Sequence, residues 1–130
     1  MTEENRRGLV REELSRCEAC LDEARALAQA GLAHGAVSRA YYAVFHACRA
    51  LLAAEGIQVR THRGVISEVG ARFVKSGRLA PELGRIAARM QRDREDADYD
   101  IGALFTPDAA AAILADAERF CREARGVLGA

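Results

Sequence analysis

Apolar residues return every three or four positions through most of this chain, and the runs break at glycine, proline or a short polar cap. Leu9, Val10, Leu14, Cys17, Leu21, Ala24, Leu27 and Ala28 predict one long amphipathic helix from about Thr2 to Ala30, stopping near Gly31. Glu and Arg fill its other face, which reads as solvated surface. A second helix is predicted over His34–Glu55: Val37, Ala40, Tyr41, Val44, Phe45, Cys48, Leu51 and Leu52 fall within an arc of about 140° on a helical wheel, and Gly56 ends it. Thr61 is a fitting N-cap for a third helix over roughly His62–Lys75, with Val65, Ile66, Val69, Phe73 and Val74 inward and Ser76-Gly77 as the stop. Pro81 opens a fourth, whose apolar face carries Leu83, Ile86, Ala87, Met90, Ala97 and Ile101. Thr106-Pro107-Asp108 starts the last, which buries Ala110, Ile113, Leu114, Ala117, Phe120, Cys121 and Ala124 and runs to about Val127. About five helical segments with short connections predict an all-α fold, an antiparallel up-and-down helical bundle forming a single domain over residues 1–130.

Composition agrees with this and narrows the setting. The chain has no Trp and two prolines, a balance that favours helices over sheets. Its apolar runs are far shorter than the roughly 18 residues a membrane span needs, and its first residues lead into no apolar signal core. The expectation is a soluble, cytoplasmic protein with no membrane association. Cys17-x-x-Cys20 has the spacing of half a zinc site, yet no second close ligand pair follows, so the four cysteines read as small buried apolar residues and no metal or cofactor is expected.

Charge changes the picture more. Formal net charge is zero, but residues 57–92 hold 8 basic against 2 acidic side chains, while residues 93–130 hold 4 against 9. A basic middle attracts phosphates; it can equally pair with the acidic last third. All the basic residues but Lys75 are arginine, suited to bidentate phosphate contacts, though arginine together with abundant alanine also fits a GC-rich genome.

Three places carry candidate chemistry. On the second helix Arg39, Tyr42, His46 and Arg49 lie opposite the apolar arc, within about 80° of one another; such a stripe binds a phosphate or stacks on a base, or serves as wet surface or a dimer contact. His62 falls in the first turn of the third helix, where free backbone N–H groups favour an anion. The densest is Arg89–Ile101, in which three arginines run into four aspartates and a tyrosine. On the fourth-helix wheel Arg85, Arg89, Arg92, Asp96 and Tyr99 face outward, whereas Arg94 points into the apolar face four residues before Asp98. An inward cation is costly unless paired, so an Arg94–Asp98 pair is expected, at a bundle seam or a subunit interface.

Ser38-Arg39-Ala40-Tyr41-Tyr42-Ala43-Val44-Phe45-His46, then Thr61-His62-Arg63-Gly64-Val65, Phe73-Val74-Lys75-Ser76-Gly77 and Arg94-Glu95-Asp96-Ala97-Asp98-Tyr99 together resemble the HEPN domain, in particular the compact prokaryotic HEPN proteins, over about residues 8–125. The resemblance implies a helical bundle, commonly a homodimer, often encoded beside a minimal nucleotidyltransferase as a toxin–antitoxin pair. Active relatives are metal-independent ribonucleases with an arginine, four to six residues, and a histidine, frequently followed by a tyrosine that accepts a nucleotidyl group. Arginine holds the scissile phosphate and histidine moves protons near neutral pH. Here Arg92 matches the arginine when Tyr99 is aligned to the family tyrosine, and Ala97 stands where the histidine belongs. Counted from Arg94, the slots fall on Asp98, Tyr99 and Asp100, and no histidine follows His62.

Three readings remain open. One is a non-catalytic module that binds nucleotide, RNA or a nucleotidyltransferase partner through Arg92, Arg94, Asp98 and Tyr99, supported by Tyr42, His46, Arg39 and His62. Another is a ribonuclease toxin with a rearranged site, in which Arg94 and His46 are the catalytic candidates and His46 or His62 must approach the arginines. A structural dimer, with the Arg94–Asp98 pair only setting helix register, is the third.

Overall fold

A computed structural model describes residues 2–99 and 105–130. Its helices are α1 (Glu3–Gln29), α2 (Ala33–Ala54), α3 (His62–Val69), α4 (Pro81–Tyr99) and α5 (Pro107–Leu128). Thr61 and Thr106 cap their helices as expected, and Thr2 caps the first: their side chains accept from the backbone N–H of Gly64, Ala109 and Asn5 at 3.0, 3.0 and 3.1 Å. Of the expected inward residues of the fourth helix, Ile101 lies outside the described residues, as does Asp100 of the charged stretch.

α5 runs antiparallel to both α1 and α4, as their ion pairs show. Residue numbers fall on one helix as they rise on the other in Arg125–Glu18 and Arg25–Glu118 between α1 and α5, and in Arg119–Glu82 and Arg89–Asp116 between α4 and α5. α2 is the central helix and packs on α1, α3, α4 and α5. Its sequence explains that position: Ala40, Ala43, Ala47 and Ala50 are all fully buried and let neighbours approach, while Tyr41, Val44 and Leu51 fill the space between them. Gly56 closes α2 at φ +73°, where a Cβ would also meet the Arg6 guanidinium at 2.9 Å.

The third segment departs from the expected uninterrupted helix. After Val69 the chain widens into a π-helical turn over Gly70–Val74, in which Lys75 N–H bonds to Gly70 C=O at 3.0 Å. The inserted residue turns Phe73 fully into the core while Val74 packs against Gly84 of α4.

Candidate functional site

Tyr42, His62, Arg94, Asp98 and Tyr99 gather where α2, the start of α3 and the end of α4 meet, while His46 lies further along α2 against α1 and Arg89 pairs with Asp116 of α5. Arg94 is 8% exposed, and its Nη1 lies 3.4 Å from Asp98 Oδ2, so the inward pair forms. Its guanidinium carbon stands 5.1, 5.8 and 5.9 Å from the ring centres of Tyr41, Tyr42 and Tyr99. Its Nε is buried without a hydrogen-bond partner among the described residues. Burial works against the charged form, but Tyr42, Asp98, Tyr41 and Tyr99 outweigh it and hold the guanidinium charged.

Tyr99 is exposed, as its outward phase on α4 predicts. Although 75% exposed, it does not turn away from Arg94; its long side chain at the end of α4 reaches back over the guanidinium. Arg92 also faces outward. Tyr42 is partly covered, with Arg39 4.6 Å above its ring and Arg39 in turn 4.0 Å from Glu23.

His62 is brought to Arg94 through Tyr41. Thr61 caps α3, and Gly64 allows the turn to close: a Cβ there would fall 2.6 Å from Val59 Cγ1 and from Thr61 Oγ1. That closure sets the His62 ring flat on Phe45, at 4.1 Å and 9°, with Nδ1 2.8 Å from the Tyr41 hydroxyl. Burial raises the Tyr41 phenol to about 12, so Tyr41 keeps its proton, and its hydroxyl shares a hydrogen bond with His62 Nδ1. Burial first, then the charges of Arg94 and Arg49, hold His62 below its ordinary value and favour the neutral ring.

His46 meets a residue that the sequence reading placed on a solvated face. Glu13 of α1 is 4% exposed, and its Oε2 lies 2.9 Å from His46 Nδ1 and 3.5 Å from Arg49 Nε. Burial alone would raise the Glu13 carboxyl; the bond to His46 and the charges of Arg49 and Arg16 bring it below its ordinary value. The carboxylate orients the imidazole with Nδ1 toward it and Nε2 on the other side. The signal was present: on the first-helix wheel Glu13 falls inside the arc bounded by Leu9 and Leu14.

The four cysteines are buried, with Cys17 and Cys121 sulfurs 3.1 Å apart as free thiols. Their mutual contact and then burial push the Cys121 thiol well up, which leaves it unreactive. Among the described residues no three His, Cys, Asp or Glu side chains group as a metal site, and no helix is long and apolar enough to cross a membrane. The assembled chemistry is a buried cation under aromatic rings, one neutral histidine linked to it by a phenol, and a second histidine held by a carboxylate.

The fold is an all-helical bundle, and comparison with known proteins gives the family. The HEPN domain family model matches residues 10–127. The chain is 36% identical over 115 residues to a Methanocaldococcus jannaschii protein named "Putative toxin MJ0605", covering 85% of each chain. It is 40% identical over 84 residues to a "UPF0332 protein" of Thermotoga maritima, covering 65% of this chain and 64% of that one. A second "UPF0332 protein", from Archaeoglobus fulgidus, is 30% identical over 115 residues, 88% of this chain and 91% of the relative. The chain belongs to the HEPN domain family.

Proposed function

We propose that this HEPN chain is a binding module of a toxin–antitoxin-like pair, which holds RNA or a nucleotide, or its nucleotidyltransferase partner, on the face formed by Arg94, Asp98, Tyr99 and Tyr42. Arg92 adds an outer cation to that face, and Arg39 and His46 support it from α2. The observation that carries the reading is the state of Arg94: three tyrosine rings surround it, one of them largely exposed, and the residue four positions on is a carboxylate already paired with it. An exposed ring over a cation suits base stacking beside a phosphate. No histidine stands at the motif's place: Ala97 falls there when Tyr99 is aligned, and Asp98, Tyr99 and Asp100 fall there when the count starts from Arg94. The toxin name of the M. jannaschii relative supports the pairing with a partner gene. The protein works as a cytoplasmic homodimer in this reading.

The test is titration of purified protein with single-stranded RNA in the presence of chelator. Binding of intact RNA is expected, lost in Tyr99→Ala and Arg94→Met. Cleavage that survives chelator and disappears in Arg94→Met or His62→Gln overturns the reading.

That outcome belongs to a second reading, a metal-independent ribonuclease with a rearranged site, which the Arg94–Tyr41–His62 linkage favours. A neutral imidazole can serve as general base where a nearby guanidinium holds the phosphate. His46, oriented by Glu13, is the second proton-transfer candidate.

A further inference from the structure

The cluster around Arg94 continues past His62. Phe45, on which His62 stacks, has the Arg49 guanidinium 5.7 Å from its ring centre, and Arg49 opens onto a cleft of about 570 Å³ between α1, the end of α2 and the connection to α3. Leu9, Leu52, Ile57 and Val65 give the cleft an apolar floor. Its polar edge carries Arg49, Arg60 and Glu13.

Charge at that edge is positive on balance. The Glu13 carboxylate is already taken up by His46, Arg49 and Arg16, at 2.9, 3.5 and 3.5 Å. It faces Arg49 Nε, and 46% of the Arg49 side chain is exposed, so the Nη nitrogens are the donors left for a ligand. Arg60 is exposed and makes no ion pair among the described residues. The buried Glu13 carboxylate holds Arg49 from behind, and Arg60 lines the same cleft, so two guanidinium groups border it, one of them oriented before a ligand arrives. Beside an apolar floor, such a pair matches a flat, weakly polar group that carries a phosphate.

We propose that this cleft is a second nucleotide subsite, which takes the base of one nucleotide of a single-stranded RNA against its apolar floor and the phosphate on Arg49 and Arg60, with the neighbouring nucleotide at the Arg94–Tyr99 face. The proposal rests on the RNA-binding reading above. Proximity supports it, because Arg94 and Arg49 flank one buried ring cluster of Tyr41, His62 and Phe45, and the charges of both act on His62.

Calorimetric titration with a mononucleotide and with single-stranded oligonucleotides of increasing length tests it, on wild type, Arg60→Glu and Ala53→Leu. The second variant adds bulk to a residue lining the cleft, and Arg60→Glu changes an exposed side chain that the fold does not need. Arg122→Glu, an exposed reversal on α5, gives the effect of charge alone. Wild type is expected to gain about tenfold in affinity when a second nucleotide is added. Arg60→Glu and Ala53→Leu lose that gain beyond the change seen in Arg122→Glu, while mononucleotide binding abolished by Tyr99→Ala persists. A length gain that survives in Arg60→Glu overturns the subsite and leaves the RNA-binding reading standing. Wild type that binds no nucleotide at all overturns both. A change of oligomeric state in Arg60→Glu with the length gain intact assigns the cleft to a second copy of the chain and overturns the subsite.

Discussion

The seam between α1 and α5 and the corner where α2, α3 and α4 meet are about equally dry, yet they are built from different materials. Cys17, Ala24, Ala117, Cys121 and Ala124 in the seam are between 0 and 2% exposed, and all are small and apolar. In the corner Tyr41, Phe45 and Arg94, with Glu13 beside them, are at most 8% exposed, and three of the four carry polar or charged atoms. Burying a hydroxyl, a guanidinium and a carboxylate costs free energy that packing alone returns more cheaply with leucine. The seam therefore reads as a solution to packing. The corner reads as chemistry that the fold tolerates, since each charge in it is matched by a ring, a carboxylate or an imidazole.

The contrast can be broken or sharpened by substitution. The largest effect is expected for Phe120→Ala, fully buried on α5, which should lose about 3–5 kcal/mol in denaturant unfolding. Arg94→Met should come next, on ligand binding instead of stability: loss of a charge-assisted contact of ~1.5–3 kcal/mol weakens titrated RNA binding some ten- to hundredfold. Unfolding free energy should stay within about 1.5 kcal/mol of wild type, because the Asp98 side chain left behind is 28% exposed and can be hydrated. A collapse of stability in Arg94→Met would erase the distinction between the two regions. Tyr41→Phe removes the hydroxyl bonded to His62 Nδ1 and should cost ~1 kcal/mol by thermal or chemical unfolding.

Acid should then separate the regions without any mutation. The folded protein holds His62 below its ordinary 6.5, so the unfolded chain binds that proton more readily. The His62 contribution is whole above pH 6.5 and is lost as pH falls from there toward the folded value. Melting temperature should decline below pH 6.5 in wild type and less steeply in His62→Gln. Glu13, also lowered, adds a second decline below its ordinary 4.5. The smallest effect is expected for Arg7→Ala, whose ion pair with Glu3 is exposed on both sides and should be worth less than ~0.5 kcal/mol in the same unfolding measurement.

The helices were legible because their apolar spacing and their threonine caps are local signals. Arg94 was legible for the same reason: its phase on α4 points it inward, and Asp98 is one turn away. Tyr99 was only half legible, because a wheel gives the direction of a Cβ and not the reach of a long side chain near a helix end. The link from Arg94 to His62 was not legible at all. It depends on how Gly64 lets α3 close on Val59, and on a Tyr41 hydroxyl that the pattern counted only as core. Glu13 fell on the apolar arc of its own helix, but its partners His46 and Arg49 sit on another helix, and no periodicity pairs residues across elements. The π-helical turn at Gly70–Val74 escaped as well, since one inserted residue shifts phase by less than the scatter of a short apolar run.

The three rings around Arg94 have an optical consequence. The chain has three tyrosines and no tryptophan, and Tyr41, Tyr42 and Tyr99 are those three. Nearly all the near-ultraviolet absorbance and the intrinsic fluorescence of the protein therefore originate within 6 Å of a single guanidinium carbon. The molecule carries its own reporter: a ligand that settles there alters tyrosine emission directly, and one that binds elsewhere leaves that signal nearly silent.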